Sequence, residues 1–123
     1  MVEQMNWFAR RKPADIWDEP IGAPLGDIEA ADRIRNICQA ARAIAEAADA
    51  SAPTRERYER AARTAMEIAM KISDDLMRDD AVRRIVDLCM KAEDIKTAQI
   101  LSRAIQAGWI REAVLQDYPV LSQ

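Results

Sequence analysis

Two stretches of this chain are variants of one another: RTAMEIAMKISDDLMRDDAVRRIV (Arg63–Val86) and KTAQILSRAIQAGWIREAVLQDYP (Lys96–Pro119). At an offset of 33 residues, Thr64 falls on Thr97, Ala65 on Ala98, Ile72 on Ile105 and Arg78 on Arg111. Small Ala69 meets small Ser102, and Ala81 meets Val114. Each copy has apolar residues three and four apart, then a polar break, then a second such run. That spacing predicts a helix, a turn and a second helix. A period of this size marks stacked helical hairpins, which bind partners more often than they catalyse.

Composition supports an all-helical reading. The chain has 123 residues, the size of one domain with one modest core. Half of it is apolar, yet only six residues are aromatic: Trp7, Phe8, Trp17, Tyr58, Trp109 and Tyr118. Alanine, with 23 residues, carries much of the rest, and alanine faces favour helix and let helices approach closely. No stretch alternates apolar and polar as a half-buried strand would. The formal charge of −3 argues against general affinity for nucleic acid or anionic lipid. No apolar run is long enough to span a membrane. The first residues, Met1–Asn6, lack the basic-then-apolar layout of a signal peptide. Cys38 and Cys89 fall in helical pattern and are expected as core thiols, which suits a reducing cytoplasm.

Residues 1–26 stand apart. They hold Pro13, Pro20, Pro24, Gly22 and Gly26, so no ordinary helix fits there. They also hold Trp7, Phe8, Ile16, Trp17, Ile21 and Leu25, more apolar surface than a free linker needs. The expectation is an irregular arm, with one short turn around Gln4–Arg10, that lies along the helical body of residues 27–123 or on another protein. Trp17 is the expected anchor, with Ile16 and Ile21 beside it.

Five helices should follow. The first, about 28–50, is capped by Asp27 and buries Ile28, Ala31, Ile34, Cys38, Ala41, Ala45 and Ala48. The second, about 54–73, is capped by Thr54 and buries Tyr58, Ala61, Ala62, Ala65, Ile68, Ala69 and Ile72. Glu56/Arg60, Glu59/Arg63 and Glu67/Lys71 are spaced to pair on its outer face. Ser73-Asp74-Asp75 turns the chain into a third helix reaching about Ala92, with Ala81, Ile85, Leu88, Cys89 and Ala92 inside. Asp94 caps a fourth, about 95–107, that buries Ile95, Ala98, Leu101, Ala104 and Ile105 and ends at Gly108. A short fifth starts near Trp109 and stops before Pro119.

The segment from about Ala62 to Gln123 resembles tetratricopeptide-like helical repeats. The small residues which that family places in its first and second helices match Ala69 and Ala81. The larger packing positions match Ile68, Ile72, Ile85 and Leu88, and in the next copy Ser102 is flanked by Leu101 and Ile105. The family's early tryptophan is replaced by Ala65 and Ala98, its usual tyrosine by Ile72 and Ile105, and the last small position by the bulkier Val114. The resemblance implies stacked hairpins with a partner-facing side on the first helix of each. By position that side holds Arg63, Met66, Met70 and Ser73 on one helix and Lys96, Gln99, Arg103 and Gln106 on the next.

Little in the chain points to catalysis. There is no histidine, which removes the usual general base and the commonest metal ligand. Cys38 and Cys89 lack CxxC spacing, there is no glycine-rich phosphate loop, and no serine lies in a nucleophile motif. The acidic run Asp74, Asp75, Asp79 and Asp80 lacks the glycine and distal glutamate of a calcium loop and belongs at a helix start. Arg10-Arg11-Lys12 beside Trp7-Phe8 reads as solvated charge on the arm. Arg55, Arg57, Arg60 and Arg63 are interleaved with Glu56 and Glu59, so that face is nearly balanced. The expected object is a non-enzymatic interaction or adaptor module without cofactor or metal. Arg63, Met66, Met70, Lys96, Gln99 and Arg103 would take a protein or peptide, or a second copy of the chain, in a groove formed by the second and fourth helices. A regulatory protein acting by surface mimicry is one alternative. A nucleic-acid-associated helical protein is another, and would need the arginine-bearing faces to converge.

Overall fold

A computed structural model describes residues 15–21 and 24–123. They form five α-helices and no strand: α1 (Asp27–Glu46), α2 (Ala52–Ala69), α3 (Asp75–Lys91), α4 (Ile95–Ala104) and α5 (Gly108–Asp117). Short 3-10 turns, Ile16–Asp18 and Pro119–Ser122, lie before and after them. The all-α architecture of five packed helices is the one the periodicity predicts. The expected turn around Gln4–Arg10, Trp7, Phe8 and the cluster Arg10-Arg11-Lys12 lie outside the described residues.

Several helix ends differ from expectation, each for a local reason. The α1 helix stops at Glu46, four residues early. Tight bonds from Ala48 N–H to Ala45 O and from Ala50 N–H to Ala47 O wind the chain into a turn that buries Ala48. Ser51, not Thr54, caps α2: its hydroxyl accepts from Thr54 N–H at 3.2 Å, and Pro53 occupies the first turn, where its missing N–H costs nothing. Gly108 does not end α4. It opens α5 with no positive φ, while α4 has already stopped at Ala104.

Asp27 does not cap its own helix either. The N-cap position belongs to Gly26, and the Asp27 carboxylate instead accepts from Ser73 N–H at 2.9 Å, Ser73 Oγ–H at 2.8 Å and Asp74 N–H at 3.0 Å. It thus clamps the start of α1 to the α2–α3 turn. The α3–α4–α5 arm of the fold repeats the device. Asp79 of α3, only 1% exposed, accepts from Gln106 N–H at 3.2 Å and Ala107 N–H at 2.8 Å in the α4–α5 turn. Both clamped turns, 73–74 and 106–107, are separated by the repeat offset.

Helix α3 is the hub. It packs on α1, α2, α4 and α5, and buries Ala81, Val82, Ile85, Val86, Leu88 and Cys89. The matched positions lie at matched depth: Ala65 and Ala98, Ala69 and Ser102, Ile72 and Ile105, Ala81 and Val114 are all buried. The stripe expected on the second helix is buried from Tyr58 to Ile72, although α2 stops at Ala69 and Ile72 lies in the turn beyond it. On α1 it is rotated: Ala30, Ile34, Ile37, Ala41 and Ala45 are inside, Ala31 and Cys38 are half-buried, and Ile28 is 72% exposed. On α4, Ala98, Leu101 and Ser102 are buried, Ile95 is half-buried and Ala104 is exposed.

Trp17 of the arm is buried against the helices, and the Arg57 guanidinium lies 6.0 Å from its ring centroid. Arg57 also grips Asp15 with two bonds, Nη2 to Oδ1 at 2.7 Å and Nε to Oδ2 at 3.1 Å. Arg60 reaches Asp15 at 3.4 Å and Asp18 at 3.3 Å. The expected anchor is therefore Trp17, but its companions are arginines of α2. Ile16 and Ile21 remain partly exposed. None of the pairs Glu56/Arg60, Glu59/Arg63 and Glu67/Lys71 forms an ion pair among the described residues, since Arg60 turns to the arm and Glu59 to Arg55 at 3.7 Å.

A candidate groove between the second and fourth helices

Helices α2 and α4 each pack on α3 and not on one another. They are pinned at one end. There the Tyr58 hydroxyl donates to Asp94 Oδ2 at 2.8 Å, and Arg55 donates to Ala92 O at 3.2 Å while its ring-side face lies 5.3 Å from the Tyr58 centroid. From this pin the two helices leave a furrow of about 310 Å³ lined by Tyr58, Glu59, Ala62, Arg63 and Met66 of α2, by Asp94, and by Thr97 and Leu101 of α4.

The pin is a local consequence of sequence. Glu93 adopts a left-handed φ of 56°, which ends α3 and points Asp94 forward as the N-cap of α4, accepting from Thr97 N–H at 3.4 Å. The other carboxylate oxygen is then available for Tyr58. Burial lifts the Tyr58 hydroxyl well above its usual pKa, and the neighbouring Cys89 and Asp94 push the same way, so it stays a donor. Burial likewise raises Cys89 to about 11 and Cys38 to about 12. Both thiols are free and neither is primed as a nucleophile.

The floor of the furrow is apolar: Tyr58, Ala62 and Leu101 are buried, and Met66 is half-buried. Its charged rim is unequal. Asp94 is engaged by Tyr58, and Glu59 lies 3.7 Å from Arg55. Arg63 is exposed and has no ion-pair partner among the described residues. The arrangement can receive an apolar side chain on Met66 and Leu101 with a carboxylate held by Arg63.

Of the residues singled out from the sequence, Arg63 and Met66 line this furrow together. Met70 is 62% exposed and Lys96 and Arg103 are exposed, all outside its lining. Gln99 turns away, its amide donating to Gln123 O at 3.4 Å. The α4 wall is instead Asp94, Thr97 and Leu101, at spacings of three and four residues. Sequence reading missed it by carrying the partner-facing row over at a fixed offset from α2. The N-cap at Asp94, read as the first residue of a stripe, would have given the wall directly.

The acidic run resolves into separate structural roles. Asp74 caps α3 by accepting from Met77 N–H at 2.8 Å, Asp75 pairs with Arg78 at 3.1 Å, Asp80 with Arg84 at 3.4 Å, and Asp79 holds the α4–α5 turn. Among the described residues no group of histidine, cysteine, aspartate and glutamate is placed to hold a metal ion, and no helix is long and apolar enough to cross a membrane. No protein-family model, no curated protein and no solved structure matches the chain.

Proposed function

We propose that the protein is a non-catalytic interaction module that takes an extended peptide or protein segment in the furrow between α2 and α4. The segment would carry one large apolar side chain and a nearby carboxylate. The observation that carries this reading is the combination of an open apolar floor with Arg63 on its rim, a cation that no described residue neutralises. Met66 supports it, because an unbranched thioether adapts to side chains of different shape. The resemblance to tetratricopeptide-like repeats supports it on α2, through Arg63 and Met66, and two free thiols suit a reducing compartment such as the cytoplasm.

A displayed random-peptide library selected on the purified protein tests this. Recovered peptides should share an acidic residue close to a Leu, Ile, Phe or Met. Arg63→Glu and Met66→Glu should each weaken the selected peptides by about tenfold or more, roughly 1.4 kcal/mol, with the helical circular-dichroism signal unchanged. Peptides that bind both variants at wild-type affinity would place the recognition surface elsewhere.

A further inference from the structure

A second depression, of about 230 Å³, lies between α1 and α3 and shares no residue with the furrow. Its α1 wall is Arg35, Cys38, Gln39 and Arg42, and its α3 wall is Arg84, Asp87, Leu88 and Lys91. The two walls have the same spacing, with a cation at each end of each stripe. Residues seven apart on a helix lie on one face about 10 Å from one another. The Asp27 clamp brings the start of α1 level with the start of α3. Counted from Asp27 and Asp74, Arg84 stands two residues further along than Arg35 and Lys91 two further than Arg42, a stagger of about 3 Å that these long side chains span. The depression therefore has two cationic rungs, about 10 Å apart along the helices.

The lining of this depression is mostly cationic, although the chain as a whole is acidic. Four cations face one carboxylate, Asp87, whose Oδ1 already accepts from the Tyr118 hydroxyl at 2.8 Å. The carboxylates that touch the arginines lie outside the lining, on the same helices: Asp32 on Arg35 at 2.8 Å, Glu46 on Arg42 at 3.5 Å, Asp80 on Arg84 at 3.4 Å. These are single, solvent-exposed pairs, of the kind worth about 0–1 kcal/mol, so the guanidinium groups can be turned inward by a stronger anion. Lys91 has no ion-pair partner among the described residues. Guanidinium groups bind phosphoryl oxygens in a fork, with two bonds where each of these pairs offers one. No aromatic side chain lines the depression, so it offers nothing for a nucleobase to stack on, and a chain of net charge −3 repels a long polyanion.

We propose that this depression binds a small ligand carrying two or more phosphoryl groups, with one group on the Arg35/Arg84 rung and another on the Arg42/Lys91 rung. Free metabolites and lipid headgroups can both present these groups.

Inorganic tripolyphosphate is the probe. Titrated into the isotopically labelled full chain at physiological salt, it should shift the backbone amides of residues 35–42 and 84–91 in a saturable manner. Orthophosphate, which cannot reach both rungs, should bind at least about tenfold more weakly. Arg84→Gln with Lys91→Gln should weaken tripolyphosphate by about tenfold or more, while Arg103→Gln should leave it unchanged. Should the double variant lose its helical signal, Arg42→Gln replaces it, because the Arg42 side chain is 64% exposed. Phosphatidylcholine vesicles with and without a phosphoinositide that carries two phosphates on its inositol ring separate the sources. Sedimentation with the anionic vesicles, competed by tripolyphosphate, identifies a headgroup; its absence identifies a free ligand. Three results would overturn the proposal: no saturable shift, shifts outside these two helices, or equal binding by the rung variants. A short single-stranded RNA that binds more tightly than tripolyphosphate through the same residues would overturn it as well.

Discussion

Asp79 is a buried side chain whose hydrogen bonds come from backbone. The nearest guanidinium atom, Arg78 Nε, lies 3.9 Å from Oδ1, which has no hydrogen-bond partner among the described residues, while Oδ2 takes both N–H groups of the α4–α5 turn. Removing such an acceptor leaves two donors without partners. Asp79→Ala should therefore lower the unfolding free energy by about 2–4 kcal/mol in urea titration, and Asp79→Asn, which keeps an acceptor, should lower it less. Equal losses would mean that the charge, and not the acceptor, holds the turn. Asp27 performs the same task at the surface. Its bonds from the Ser73 backbone and hydroxyl, with that from Asp74, hold its carboxyl below the ordinary 3.8. A carboxyl lowered in the folded state stabilises fully above the unfolded value and loses that contribution as pH falls through the folded value. Wild type should thus melt above Asp27→Asn at neutral pH, and the gap should narrow from about pH 5 to about pH 2. A gap that is constant with pH would show that the clamp does not depend on ionisation.

At the scale of elements, residues 15–18 and the outer face of α2 are one structure. Arg57 and Arg60 look like members of a balanced, solvated stripe in sequence, because Glu56 and Glu59 stand beside them. Their partners are 42 residues or more away, at Asp15 and Asp18. The Asp15 bonds hold Arg57 above its usual pKa, and the flat guanidinium closes over the Trp17 ring. Trp17→Ala should lower stability by about 2–4 kcal/mol, mainly through lost burial. Arg57→Gln should cost about 1 kcal/mol, since its pairs are part-exposed. Thermal melts of the two variants check the order. If Trp17→Ala melts with the wild type, the arm contributes no stability where it sits.

Across the whole molecule, burial is concentrated around α3 and thins toward the C-terminus. Helix α5 buries only Ile110 and Val114, and Trp109 beside them is 65% exposed. The last turn is secured by Leu121 and by the Tyr118 hydroxyl on Asp87. Few apolar contacts per residue mean a low free energy of local opening. Hydrogen exchange should therefore release the amides of residues 108–122 well before those of 75–91. Simultaneous exchange of both segments would make the five helices a single cooperative unit.

What the sequence determined is what repeats locally. Apolar spacing of three and four residues specifies helices, and the pairs at offset 33 specify which small and large residues meet, so Ala65 and Ala98 or Ile72 and Ile105 could be placed inside before any coordinates. Polar breaks at 73–75 and 93–94 located two of the turns for the same reason: capping chemistry acts within four residues. The tertiary structure alone decided whatever joins residues far apart. Asp27 and Gly108 have the composition of local caps, yet one clamps a turn 46 residues on and the other begins a helix, because a carboxylate from a neighbouring helix satisfies a turn as well as a local one does. The α4 wall of the furrow, the partners of Arg57 and Arg60, and the meeting of Arg35 and Arg42 with Arg84 and Lys91 depend likewise on how helices rotate about their axes when packed. A rotation of one residue is 100°. It leaves the periodicity intact and changes every neighbour, which is why the helices and the buried stripes of α2 and α3 could be read from this chain while the face of α1 and the α4 wall of the furrow could not.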